Sequence, residues 1–485
     1  MNSGIRRVGT VILVLFVGLV AQLTYLQLID SKKLADDPHN ARTFLQFVSR
    51  PRGPIVSADG AVLAKSVPTD DEFKYQRVYT PATAKLFAHV VGYQSIQFGS
   101  TGVEDEYASE LAGKGLLSIH HLGSLINPRP ATGTVVLNLS VKAQLAAAEG
   151  LAGRRGSVVV LNVRTGGVVA AYSNPTFDPR LLASHNGQVA AAARQFLLAA
   201  PDNPLLARAW RELYPPGSTF KTVTASTALQ DNVDVNKQFP FITSLDLPLT
   251  SATLQNFGGE RCGGPLEEGF VESCNTTFGQ VGLDLGELLA SGVQRFGVNT
   301  APPPSDLDPS IVSSIGPRKG TFKIEQPRFA QAAIGQGPVS VTPLEMALVA
   351  ESVATGGVIL EPHVANRIED SDGNVLRRFG RKEWRRAMDP AAAATLRDWM
   401  IQVVQRGTGT AAQIPGIQVA GKTGTAENAP DQRPHAWFIA FAPADDPLYA
   451  IAVLVEHGGS SEAETTGGRV AAPVAAQVLR VLLGA

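Results

Sequence analysis

Cysteine is nearly absent from this chain: Cys262 and Cys274 are the only two in 485 residues. That excludes a disulfide-built scaffold. Metal-ligand spacing is missing as well. His120, His121, His435 and His457 stand at no interval from the cysteines that a zinc site uses, so neither a metal nor another cofactor is expected. Excess charge is missing too: 42 basic residues face 43 acidic ones, a net charge of −1. That removes the electrostatic footprint of a nucleic-acid binder. No internal repeat is visible. Beyond the N-terminus, no second run is apolar and long enough to cross a bilayer.

What is present begins at that N-terminus. Arg6 and Arg7 precede the apolar run Val8–Leu28. As a helix it would span roughly 31 Å, about one hydrocarbon core. A cleaved signal peptide is the competing reading, but AQLTYLQL follows without a small-x-small cleavage site. The run is therefore read as a retained single-pass anchor in the plasma membrane. The paired arginines place residues 1–7 in the cytoplasm and the rest of the chain outside. With 44% hydrophobic and 18% charged residues, that remainder can bury a core, and its length favours more than one domain.

The segment from 29 to about 140 is mixed. Asn40–Ser66 reads as a hairpin turning at Asp59-Gly60, and Thr101–Gly115 as a short acidic helix. Neither carries an obvious catalytic group, so a non-catalytic pedestal is expected. A second domain, 141–485, follows. Val135–Arg155 reads as a strand and then a helix. Ser157–Val163 with Val168–Ser173, and His435–Pro443 with Leu448–Glu456, read as two apolar hairpins. Arg469–Leu483 carries a helical apolar stripe. Helices are expected between them at Phe220–Leu229, Val271–Leu285, Thr342–Thr355 and Ala391–Gln405. A sheet assembled from both ends of the domain and covered by helices accounts for this order, an α+β fold.

Three short motifs carry possible chemistry. In YPPGSTFK (Tyr214–Lys221), Pro215-Pro216-Gly217 starts a helix at Ser218 and places Lys221 on the same face. Ser218 is either a helix cap or a nucleophile, and the lysine serves as a base only if burial or a nearby cation lowers its pKa. In ESCNTTFG, Ser273-Cys274-Asn275 alone reads as a polar turn before a helix. Lys422-Thr423-Gly424-Thr425 sits on a strand, where Gly424 permits close approach by a ligand or another backbone. Singly each is weak. Together, S-x-x-K, S-x-N and K-T-G in this order are the trio of penicillin-recognising serine enzymes.

With those motifs in place, the chain resembles a class B penicillin-binding protein over essentially its whole length. RPRGPIVSADGAVLAKS, TGVEDEYASELAGK, NPTFDP, AIGQGPVSVTPLEMA, GKTGTAE and AWFIAFAP contribute to the likeness. Cys274 departs from it, since many relatives carry Ser or another small residue inside S-x-N. The resemblance implies a five-stranded antiparallel sheet between helices, a helical subdomain, and a pedestal of dimerisation type. It implies a D,D-transpeptidase that cross-links peptidoglycan stem peptides through a serine acyl-enzyme and is blocked by β-lactams. Ser218 would be the nucleophile, Lys221 its base, and Ser273, Asn275 and Lys422 the proton-relaying and orienting groups. Backbone N–H groups of Ser218 and Thr425 would form the oxyanion hole. Thr423, Gly424 and Thr425 would bind substrate. The implied partners are a D-Ala-D-Ala stem peptide, an amine acceptor, and, because no glycosyltransferase domain is visible, a SEDS-family glycosyltransferase with other cell-wall or division proteins.

The alternatives are a D,D-carboxypeptidase, a non-turnover β-lactam sensor and a β-lactamase. No dedicated deacylating glutamate is evident for the last. Cys262 and Cys274, twelve residues apart beside the S-x-N loop, are either bonded to each other or two small buried apolar residues.

Overall fold

In a computed structural model, residues 2–28, 49–113, 132–231, 233–234, 236–307, 312–427, 432–458 and 466–485 are described. Residues 40–48 and 114–115 of the expected pedestal elements, His120-His121, and Asn428 lie outside them. The chain forms two units, residues 1–51 with 66–76, and residues 52–65 with 77–485. Among its described residues, the smaller contains the helix Asn2–Leu28, whose stretch Arg6–Leu26 is long and apolar enough to cross a membrane and is unburied.

In the larger unit, two antiparallel hairpins combine into a five-stranded sheet. Its strands are Gly156–Asn162, Val168–Asn174, Ala420–Ala426, His435–Ala442 and Tyr449–Val455. The Ala420–Ala426 strand forms one edge, followed by His435–Ala442, Tyr449–Val455, Gly156–Asn162 and Val168–Asn174. Successive side chains leave opposite faces. Val158 and Val160 pack with the helices Val141–Leu151 and Gly467–Leu483. Val159 and Leu161 join the larger core that holds Lys221–Gln230 and Pro343–Ala354. Both faces are covered, which is why these strands read as continuous apolar runs rather than alternating ones.

Local signals place several of the helices. Asp389 caps Pro390–Gln405 by accepting from the Ala392 N–H, and Thr342 caps Pro343–Ala354 by accepting from Glu345. Proline opens both, where its missing N–H costs nothing. Ile55–Val56 and Val62–Pro68 form the hairpin around Asp59-Gly60. Ile55–Val56 also pairs in parallel with Thr134–Leu137, and that strand pairs with Ala365–Glu369 from far along the chain.

Two expectations need correction. The acidic segment is not one helix but two single turns, Val103–Glu106 and Ala108–Leu111, broken at Tyr107. The helix expected across Val271–Leu285 is also broken. Leu266–Val271 ends, Ser273 adopts φ +65°, and a new helix runs Asn275–Leu285. A left-handed residue cannot continue a right-handed helix, so the break turns the Ser273 side chain out of the helical row.

Candidate active site

The serine turn is fixed from several sides. Tyr214 exchanges backbone hydrogen bonds with Val341, each 2.9 Å, and Gly217 N–H donates to Gly335 O at 2.9 Å. Trp437 Nε1 donates to Pro215 O at 3.0 Å, and Thr219 Oγ1 to Pro216 O at 2.7 Å. Gly217 has φ +53°, and a Cβ there would strike the Thr425 carbonyl. Ser218 then lies second in the 3-10 turn Gly217–Phe220, which leads into the helix Lys221–Gln230. Its side chain caps neither helix and instead lines an open cleft of about 1070 Å³.

Behind the turn lies an ionic network around the buried carboxylate of Glu456. Tyr214 OH donates to Glu456 Oε1 at 2.7 Å, Arg208 Nε donates to the same oxygen at 2.7 Å, and Arg155 reaches Oε2 at 2.7 Å. Burial raises the Glu456 pKa, but the Tyr214 hydrogen bond and the two arginines outweigh it and hold the carboxyl below its usual range.

Lys221 and Lys422 are both 0% exposed. Lys221 Nζ donates to Ser273 O at 2.6 Å and Asn275 Oδ1 at 2.8 Å, with Ser273 Oγ at 3.4 Å. Lys422 Nζ donates to that same Oγ at 2.9 Å and to Thr423 O at 3.3 Å. One hydroxyl therefore lies between two amines. Burial, and then the charge of Lys422, hold the Lys221 pKa well below the usual lysine value. Burial brings Lys422 down to about 7, with Glu272 opposing. Two buried cations side by side are costly, so this pair favours sharing its protons.

The K-T-G segment forms the edge strand against the serine turn. A Cβ on Gly424 would come within 2.8 Å of Pro216 O and 2.9 Å of Thr219 Cγ2, so only glycine allows this spacing. Thr423 and Thr425 line the cleft beside Ser218, Ser273 and Asn275. Thr423 Oγ1 lies 2.6 Å from Thr408 Oγ1.

Cys262 and Cys274 are joined in a disulfide, Cα–Cα 5.7 Å, which ties the segment Phe239–Gly264 to the S-x-N loop. Asn275 Nδ2 donates to Gln255 O in that segment at 2.9 Å. Among the described residues, no group of three or more His, Cys, Asp or Glu could hold a metal.

All the motif residues thus meet around one cleft. The motifs did not reveal Glu456, Arg208 or Thr408, nor Asn256, whose Oδ1 accepts from the Thr276 N–H at 2.9 Å. Each acts through a contact spanning many residues, and nothing in its local sequence marks it. Tyr214 opens the serine turn quoted from the sequence, but instead of lining the cleft it is buried on Glu456, 242 residues on, a contact no local signal marks.

The family model described as penicillin binding protein transpeptidase domain matches residues 156–480, and that of the penicillin binding protein A dimerisation domain matches 52–136. The peptidoglycan D,D-transpeptidase PbpA of Mycolicibacterium smegmatis is 40% identical over 489 residues, 98% of this chain and 97% of that protein. The PbpA of Mycobacterium tuberculosis is 37% identical, covering 100% of this chain and 99% of its own length. Among solved structures, penicillin-binding protein A of M. tuberculosis as a ceftriaxone acyl-enzyme superposes with TM-score 0.84 at 36% identity. The match covers 90% of this chain and 100% of that one.

Proposed function

This chain belongs to the penicillin-binding protein transpeptidase family and is a serine-type peptidoglycan D,D-transpeptidase; on that premise we propose how its residues divide the work. One observation carries the assignment: two buried lysines converge on Ser273 beside a cleft that Ser218 lines. Lys221, whose pKa burial and the neighbouring Lys422 lower, takes the Ser218 proton as Oγ attacks the carbonyl of the penultimate D-alanine of a stem peptide. Backbone N–H groups of Ser218 and Thr425 receive the oxyanion, where losing one donor costs about 3–4 kcal/mol. The C–N bond then breaks. Ser273, replenished by the lysines, passes a proton to the departing D-alanine nitrogen. Asn275 orients Lys221 and a substrate amide, while Lys422, Thr423 and Thr425 hold the terminal carboxylate beside Gly424.

An acceptor amine then attacks the Ser218 ester. The amine loses its proton, Ser218 regains one, and the new amide is the cross-link. A β-lactam enters the same first step, but its amine remains tethered after ring opening and Ser218 stays acylated.

The organisation that fits this work is a cytoplasmic tail (1–7), an anchor (8–28), a pedestal (29–140) and a catalytic domain (141–485). The family-model spans support the last two. The N-terminal apolar helix fits a membrane anchor. With Arg6 and Arg7 inside, the catalytic domain faces the wall. A SEDS-type glycosyltransferase supplying the glycan strand is the partner this arrangement calls for.

Covalent labelling by a fluorescent penicillin tests the reading. Ser218→Ala is expected to abolish labelling while the protein keeps its thermal unfolding profile; a folded Ser218→Ala protein that still labels covalently sinks the assignment.

A further inference from the structure

We propose that Asn256 is a positioning residue of the active site, supplying from outside the helix the cap that Cys274 does not provide, and so holding Ser273 and Asn275 against Lys221. The inference rests on the roles proposed above for those three residues.

The helix Asn275–Leu285 starts abruptly after the left-handed Ser273. Its N-cap position is Cys274, which makes no side-chain cap hydrogen bond and is committed to the disulfide with Cys262. The first N–H groups of a helix need acceptors, and a half-cystine is a poor one. Asn256 provides one from 20 residues away: its Oδ1 accepts from Thr276 N–H at 2.9 Å. The same amide's Nδ2 donates to Ile242 O at 2.9 Å and Glu260 O at 3.0 Å. Asn256 is 6% exposed, and both of its amide protons are used.

The consequence reaches the catalytic lysine. Asn256 holds the chain of residue 255, and Gln255 O accepts from Asn275 Nδ2. That pins the amino end of the Asn275 amide, leaving Oδ1 to face Lys221 Nζ at 2.8 Å. Ser273 is held by the same arrangement at φ +65°, a left-handed conformation that is costly for a residue other than glycine. The disulfide sets the separation of the two segments. It does not satisfy the Thr276 N–H or orient the Asn275 amide; Asn256 and its neighbour do both.

The test compares Asn256→Ala, which removes the acceptor, with Asn256→Asp, which keeps an acceptor at a helix N-terminus that favours negative charge. The limiting rate of acylation by a fluorescent penicillin and its half-saturating concentration are measured on the disulfide-intact full chain. Each protein is assayed at its own pH optimum, with thermal melts recorded alongside. Asn256→Ala is expected to lower the limiting rate by about tenfold to a hundredfold, the scale of a misplacement of about 1 Å, with the half-saturating concentration nearly unchanged. Asn256→Asp is expected to recover most of that rate although it loses both donated hydrogen bonds. The acid limb of the alanine variant moves to lower pH, because a Lys221 with weakened acceptors gives up its proton more readily.

A folded Asn256→Ala protein with an unchanged rate and pH profile overturns the proposal. So does a folded Asn256→Asp protein slowed tenfold or more, even if the alanine variant does not fold. Failure here on an enzyme whose labelling depends on Ser218 removes only this inference. Labelling that survives Ser218→Ala removes the reading beneath it.

Discussion

A lysine is a useful base near neutral pH only when its environment withholds the proton, and here burial does so twice. Lys221 sits well below its ordinary pKa and Lys422 falls to about 7, with Ser273 Oγ between them. If Lys422 must carry charge to receive a carboxylate, acylation declines as pH rises through about 7. An arginine at this position stays charged. Lys422→Arg is therefore expected to acylate more slowly at its optimum, for want of the amine's geometry, and to lose the alkaline limb between pH 6 and about 9. Acylation rates across that range check this, and a limb still near 7 in the variant counts against a charged Lys422 binding the carboxylate. The motif spelling made these lysines visible in the sequence. Their burial, and so their chemistry, was not visible, because the side chains covering them come from Phe270, Phe278 and other distant positions.

At the scale of elements, the site depends on how closely an edge strand approaches a turn. Gly424 and Gly217 remove the side chains that would otherwise separate Ala420–Ala426 from Gly217–Phe220. Gly424→Ala would push the strand off Pro216 and Thr219 by several tenths of an ångström or more. It is expected to cost about 1–3 kcal/mol in stability and at least about tenfold in acylation, since the proposed oxyanion donors lie on the two elements being separated. A melt and a labelling time course measure both; an unchanged labelling rate would show that the spacing is not used. The two hairpins and the C-terminal helix were legible, because apolar runs and turn residues are local signals. The break at Ser273 was legible only in part: Ser273-Cys274-Asn275 reads locally as a polar turn, but nothing local sets Ser273 at φ +65°. What sets it is a tertiary arrangement, the cross-braces from Asn256, Gln255 and Cys262.

For the whole molecule, stability and location are the measurable properties. Glu345 and Glu351 are fully buried on Pro343–Ala354, each with one unpartnered carboxyl oxygen, and burial raises each pKa to about 8. The folded chain thus holds these protons where the unfolded chain, near 4.5, has released them. Their contribution is present in full below about 4.5 and is lost as pH rises towards 8. Glu345→Gln and Glu351→Gln are each expected to flatten the fall in melting temperature between pH 5 and 8, by up to a few kcal/mol in stability at the upper end. Melts at stepped pH measure this, and parallel pH curves for variant and parent would contradict it. The N-terminal helix is expected to keep the full chain in the membrane pellet through an alkaline carbonate wash. Release into the supernatant would dispose of the anchor.

By itself, the sequence determined the family, the apolar N-terminal run and the order of the three motifs, because these are written in residue identity and short-range periodicity. Only the tertiary structure decided which groups act on one another. It set a hydroxyl between two buried amines, seated Tyr214 and Arg208 on Glu456, and gave the S-x-N helix a cap from Asn256. Those contacts arise from packing between segments far apart in the chain, where desolvation and hydrogen-bond direction, not local pattern, decide the chemistry.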